Sequence, residues 1–194
     1  MKSSKILIVI FSLLVIRCCQ EKKEGKKIVD KKKEDFKESK YFEEDRIKNN
    51  KYNVKYKGDE HSFSELELYY SYNDSRKEEI LPYTLIIVEK YKRYNHCITA
   101  FNNLIEFYTG EKFQYDGTDK SLVKYLRNIK KLNQEQRNFL LYFLKLGATN
   151  NDIGSVTYLE LLNREGVGID KNLKKADSLK NVLIMLKKSK VVER

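Results

Sequence analysis

The chain has 194 residues, of which 41% are hydrophobic and 35% are charged, and it contains a single proline. This length and composition fit one globular domain with a tail. They exclude collagen-like, proline-rich and disulfide-rich scaffolds and proteins with several membrane spans. The formal net charge is +11. Because acidic residues follow basic ones closely, as Glu34 and Asp35 follow Lys31–Lys33, the opposite charges largely cancel within a Debye length, and we expect no nucleic-acid partner.

The first residues have the pattern of an export signal. Met1–Lys5 contains two lysines, and Ile6–Ile16 is apolar except for Ser12. This apolar run is shorter than the roughly 20 residues that a membrane-spanning helix needs. A positively charged start followed by a short apolar run is typical of a secretory signal peptide, which we place at residues 1–18.

The end of the apolar run resembles the lipobox of bacterial lipoproteins. That motif has an aliphatic residue three positions before the lipidated cysteine and a small residue directly before it. Ile16 and Cys18 occupy these positions relative to Cys19, whereas Arg17, which precedes Cys18, is not small. We therefore favour Cys19 as the lipidation site, with Cys18 as the alternative.

This resemblance implies an exported protein that is anchored to a bacterial envelope membrane and faces the periplasm or the cell surface. Each buried CH₂ group of an acyl chain contributes about 0.8 kcal/mol to anchoring, and more than one chain is needed for stable attachment. The only other cysteine is Cys97, so a disulfide framework is excluded and packing must hold the body together.

The segment after the lipobox is predicted to be a charged tether over residues 19–60. Residues 20–50 have few large apolar side chains and many charges of both signs, so burial cannot offset the entropy of ordering. A solvated helix with ion pairs four residues apart is the alternative. Tyr52, Val54 and Tyr56 alternate with polar residues and predict at most one short strand.

From residue 61 to 190 the apolar residues recur with helical spacing. We predict seven helices, which in chain order carry Phe63, Ile87, Phe101, Leu122, Phe139, Leu159 and Leu179. Their lengths and short connections predict an all-α fold, a short stack of antiparallel helical hairpins.

Several residues are predicted to start or end these helices. Pro82 is compatible only with a first turn, so the second helix is expected to begin near 79–81. Gly110 is expected to end the third helix in a left-handed conformation. Asp119 or Ser121 is the expected N-cap of the fourth, and the fifth is expected to end at Gly147.

The most informative stretch is 155–179, which reads SVTYLELLNREGVGIDKNLKKADSL. Gly166 and Gly168 permit positive φ in a turn between helices. Asn172 is a good N-cap for the next helix, and Ala176 permits a close approach between two helices.

The same stretch resembles a Sel1-like repeat, a relative of the tetratricopeptide repeat. The two glycines and Lys175-Ala176 stand at positions of that pattern, whereas Glu160 replaces its usual Gly and Asn163 its usual Tyr, which we expect to weaken the packing of the first helix. The resemblance implies degenerate copies upstream, over 69–108 and 122–162, and a non-catalytic module that binds a protein or peptide in a concave groove.

Candidate catalytic residues are few. The two histidines are His61 and His96, and His96 adjoins Cys97. Adjacent helical residues point about 100° apart, so we assign Cys97 to the core rather than to a nucleophile–base pair. Asp116–Asp119 is interpreted as a turn and helix cap rather than a calcium loop. We expect no catalytic residue, cofactor or metal ion.

Two alternative functions remain open, an envelope hydrolase with a carboxylate-based site and a structural spacer. A carboxylate pair with raised pKa would favour the hydrolase, and an exposed aromatic groove would favour binding. Tyrosine suits interface contacts because its ring packs while its hydroxyl stays solvated. Among the 14 tyrosines, we select Tyr69, Tyr72 and Tyr94 as candidate partner-binding residues.

Overall fold

The structure is a computed structural model that describes residues 42–192. Within these residues it is all-α, as predicted, with eight α-helices and no strand. The helices are α1 Glu44–Lys57, α2 Glu60–Tyr72, α3 Leu81–Leu85, α4 Cys97–Thr109, α5 Asp119–Leu126, α6 Gln134–Thr149, α7 Ile153–Glu165 and α8 Leu173–Val192. The predicted signal peptide, Cys18, Cys19 and the tether up to residue 41 lie outside the described residues.

Helix α1 lies where the sequence predicted tether and strand. The predicted short strand at Tyr52, Val54 and Tyr56 is wrong, because all three residues are helical. Val54 is fully buried, and the Asn50 side-chain amide donates a 2.7 Å hydrogen bond to Glu65 in α2. Helical structure therefore begins before residue 61, because one face of α1 finds contacts that the local sequence does not reveal.

The start of α3 agrees with the prediction that Pro82 lies in the first turn of a helix. Pro82 lies in the first turn of α3, which begins at Leu81 as predicted. A 3₁₀ segment, Asp74–Ile80, precedes α3 and a π-helical turn, Ile86–Lys90, follows it. The proline thus occupies a position where its missing N–H is not needed.

The residue that ends α4 was predicted correctly, whereas the residue that caps the start of α5 was not. Gly110 ends α4 with a φ of 71°. The N-cap of α5 is Thr118, whose hydroxyl oxygen accepts from the Ser121 N–H, rather than Asp119 or Ser121. An N-cap residue has a non-helical backbone, and Thr118 is extended. Asp119 cannot be the N-cap because it already belongs to the first turn of the helix.

Gly147 was predicted to end α6, but the helix continues to Thr149. A Cβ atom on Gly147 would lie 2.2 Å from the Ser155 hydroxyl oxygen and 2.8 Å from the Cys97 Cβ. The glycine therefore serves the close approach of α4, α6 and α7 and does not stop the helix.

The helices of the unit that begins at Asn49 stack in sequence. Helix α6 packs on α4, α7 packs on α6 and α8 packs on α7, while α5 packs against α7. Their contact forms a continuous apolar core that includes Phe101, Leu104, Phe143, Leu144 and Leu162, all nearly inaccessible to solvent. Within residues 42–192 no helix combines the length and apolar content that a membrane crossing requires.

Candidate functional site

The turn between α7 and α8 has the geometry that its sequence predicts. Gly166 and Gly168 have φ values of 64° and 71°. The Asn172 side-chain oxygen accepts a 2.9 Å hydrogen bond from the Lys175 N–H, which makes it the N-cap of α8. Ala176 is fully buried. These residues therefore shape the hairpin of α7 and α8.

The two departures from the repeat pattern are accommodated by hydrogen bonds. Asn163 is buried, and its side-chain amide donates to the Leu159 carbonyl at 2.6 Å. Glu160 accepts from Arg164 at 2.6 Å, and Arg164 also donates to Asp177 in α8 at 3.0 Å. The expected weakening of α7 is therefore offset, because both polar side chains have partners.

A cleft of about 1380 Å³ lies between the loop after α4, helix α5 and the C-terminal end of α7. We call it the α5–α7 cleft. Its lining includes Gly110, Tyr115, Tyr125, Leu161 and Arg164. The cleft is open to solvent along one side, so it suits a chain segment better than an enclosed small molecule.

Two aromatic side chains, Tyr115 and Tyr125, line the cleft, and the ring of Phe113 contacts both of them. Phe113 and Tyr115 are 42% and 51% exposed, and their rings stack with centroids 6.2 Å apart. Phe113 also contacts the ring of Tyr125 edge to face at 5.0 Å. Tyr125 is buried, which raises the pKa of its phenol. The buried ring of Tyr125 thus anchors an exposed aromatic pair to the body.

The loop that carries this pair is held by its own polar groups. Hydrogen bonds from Ser121 and Thr118 lower the pKa of Asp116, whose carboxylate accepts from the Thr118 N–H at 2.9 Å. Asp116–Asp119 is therefore a turn followed by a helix start. Of the described residues, no three His, Cys, Asp or Glu side chains are grouped so as to hold a metal ion.

One wall of the cleft is basic. Lys120, Lys124 and Arg127 follow one another at helical spacing along α5 and its 3₁₀ extension, and all three are exposed. None forms an ion pair with the described residues, whereas the nearby Glu111 is paired with Lys131 at 2.6 Å. The lining also contains the carboxylates of Glu111, Asp116, Asp119 and Glu165, so the positive charge is confined to this wall of the cleft.

The tyrosines selected from the sequence lie elsewhere. Tyr69, Tyr72 and Tyr94 are half-buried and do not line the α5–α7 cleft. The Tyr69 hydroxyl accepts a 3.1 Å hydrogen bond from Arg76. Sequence reasoning missed Phe113 and Tyr115, although two aromatic residues in a short loop between glycines were a usable signal.

Cys97 occupies the core, as predicted. It is fully buried, and burial raises the pKa of its thiol to about 12. Burial also lowers the pKa of His96, whose Nε2 atom lies 3.2 Å from the Glu60 carboxylate. At neutral pH the thiol stays protonated and the imidazole is engaged with Glu60.

The carboxylates bear on the hydrolase hypothesis. Burial raises the pKa of Glu67 to about 7, opposed by a hydrogen bond from Thr99. The pKa values of four other carboxylates are lowered, at Asp59, Glu60, Glu79 and Asp116. Of these five carboxylates, Glu67 alone therefore has a raised pKa.

Together these features define, over residues 42–192, an all-α stack of helical hairpins with a cleft that has aromatic and basic lining residues. Comparison of the chain with known protein families, with curated proteins and with solved structures finds no match.

Proposed function

We propose that the protein is a lipoprotein of the bacterial envelope whose helical body binds another protein without catalysis. The lipid is attached at Cys19, with Cys18 as the alternative, and the partner segment binds in the α5–α7 cleft. The observation that carries the binding function is the exposed ring of Tyr115 in the cleft, stacked on the exposed Phe113, which in turn contacts the buried Tyr125.

The size of the cleft supports a peptide or protein segment as its occupant. Its volume of about 1380 Å³ exceeds that of ordinary small-molecule pockets. Exposed aromatic residues that are already fixed by packing lose little entropy on binding, and such residues dominate the affinity of protein interfaces.

The charge of the cleft indicates the composition of that segment. Lys120, Lys124 and Arg127 present three cations along one wall. A partner segment that combines an apolar or aromatic side chain with acidic residues complements this wall and the aromatic rings.

Removing the aromatic pair is expected to abolish most of the binding. The double variant Phe113→Ser, Tyr115→Ser should weaken partner affinity by about tenfold or more, because each lost hot-spot ring costs more than roughly 1 kcal/mol. The measurement is photo-crosslinking in solubilised envelopes from a benzophenone side chain at residue 114, followed by titration of the captured protein against both chains.

The matched control is Tyr142→Ser, which removes a tyrosine that is 43% exposed and lies outside the cleft. It should leave the affinity unchanged. Equal binding by the double variant and the native chain would refute a function of the cleft.

Lipid attachment is tested separately. Cys19→Ser should abolish incorporation of a radiolabelled fatty acid, because the acyl chains are carried by that residue and its amino group. Cys18→Ser should leave incorporation intact. If a chain with both substitutions still incorporates the label, the proposed anchor is wrong.

A further inference from the structure

One exposed face of α1 combines aromatic rings with lysines. It consists of Tyr52, Lys55, Tyr56 and Lys57, and we call it the aromatic–lysine face. Tyr52 and Tyr56 are 55% and 56% exposed, and their ring centroids are 4.8 Å apart. The Lys55 ammonium lies 5.2 Å from the Tyr56 ring centroid, and the Lys57 ammonium lies 5.7 Å from that of Tyr52.

The opposite face of α1 fixes the orientation of these side chains. Val54 is fully buried, and Asn50 and Asn53 donate hydrogen bonds to Glu65 and Ser62 of α2. The helix therefore cannot turn to bury the tyrosines without losing these contacts.

Further cationic charge lies at the C-terminal end of α1. Lys90 donates a 3.0 Å hydrogen bond to the Lys55 carbonyl oxygen, and the Tyr91 hydroxyl donates to the same oxygen at 3.0 Å. Lys55, Lys57 and Lys90 are exposed, and none forms an ion pair with a carboxylate of residues 42–192. Two lysines thus lie over the two exposed rings, and a third exposed lysine lies at the end of the same helix.

We propose that the aromatic–lysine face is a second membrane contact, which docks on anionic lipid headgroups. Tyrosine rings partition to the boundary between headgroups and acyl chains, and lysines near that surface are attracted to anionic lipid. The inference rests on the proposed lipid anchor. Since Tyr52 follows Cys19 by 33 residues, a lipid at Cys19 would keep this face within reach of the membrane surface. Since the rings pack against each other at 43° with ammonium groups over them, they are a poorer platform for stacked bases.

The test is covalent footprinting of the full lipidated chain, purified from membranes and reconstituted into vesicles. A water-soluble acetylating reagent labels exposed lysines, and mass spectrometry measures the rate at each residue. In vesicles that mix phosphatidylglycerol with phosphatidylcholine, acetylation of Lys55 and Lys57 should be about threefold slower than in pure phosphatidylcholine. Lys180, an exposed lysine of α8, is the internal reference and should react equally in both.

Two further measurements separate the contributions. The protection should diminish at high salt, because the attraction is electrostatic and is screened. Tyr52→Ser with Tyr56→Ser should also reduce the protection of Lys55 and Lys57, whereas Tyr142→Ser should not.

Each contrary outcome has a distinct meaning. If the chain floats with both kinds of vesicle but Lys55 and Lys57 react equally in them, the second contact is wrong while the anchor stands. If the chain floats with neither, the anchor and the contact both fail. If a single-stranded oligonucleotide protects the two lysines and phosphatidylglycerol does not, the face binds nucleic acid and the proposal is overturned.

Discussion

Gly168→Ala is expected to lower the free energy of unfolding by about 3 kcal/mol, whereas Gly110→Ala should lower it by only about 1 kcal/mol. Both glycines have a φ of 71°, so both substitutions place a side chain in the left-handed region. A Cβ atom at position 168 would lie 2.4 Å from the Ile129 Cγ2 atom, whereas no atom lies within 4 Å of a Cβ atom at position 110. Urea denaturation followed by circular dichroism measures the difference.

The extra loss at Gly168 arises because Ile129 is fully buried and has no room to move. Ile129→Ala should therefore be less than additive with Gly168→Ala, since the smaller side chain vacates the space that the new methyl group needs. Equal losses for the alanine variants of Gly168 and Gly110 would show that the turn does not pack rigidly on Ile129.

Glu67→Gln is expected to stabilise the protein by about 3 kcal/mol near pH 8 and to leave it almost unchanged near pH 4. The pKa of Glu67 is raised from 4.5 to about 7 in the folded chain. Between these two values the folded state binds more protons than the unfolded state. The stability that the protonated carboxyl contributes is therefore fully present below about pH 4.5 and is lost as the pH rises through about 7.

The measurement is the free energy of unfolding across this pH range for the native chain and the variant. Their difference isolates Glu67 from His96, whose lowered pKa acts in the opposite direction. Glu165→Gln, at an exposed carboxylate, is the control and should leave the pH profile unaltered. A native profile that persists in Glu67→Gln would show that Glu67 titrates normally.

Local chemistry explains which features the sequence predicted correctly. The left-handed Gly110, the first-turn Pro82 and the capping Asn172 act through residues a few positions away. The helical spacing of apolar residues from 61 onward depends only on the helix period. These features therefore required no knowledge of which helices meet.

Contacts between distant segments explain the features that were missed. Helix α1 is stabilised by burial of Val54 and by the bond from Asn50 to Glu65, and neither contact is visible in an alternating, polar sequence. Glycine is a residue type that often ends a helix, which is why Gly147 was predicted to do so. Instead, Ser155 and Cys97 approach Gly147 so closely that only glycine fits.

For this protein, the sequence by itself determined the all-α class, the helix boundaries at Pro82, Gly110 and Asn172 and the glycine turn before α8, because each depends on local backbone preferences. Only the tertiary structure decided that Tyr115 lines a cleft and stacks on Phe113, while Tyr69, Tyr72 and Tyr94 are half-buried away from that cleft. The convergence of side chains from different segments is set by the packing of helices far apart in the chain, and the spacing of residues along one helix carries no information about it.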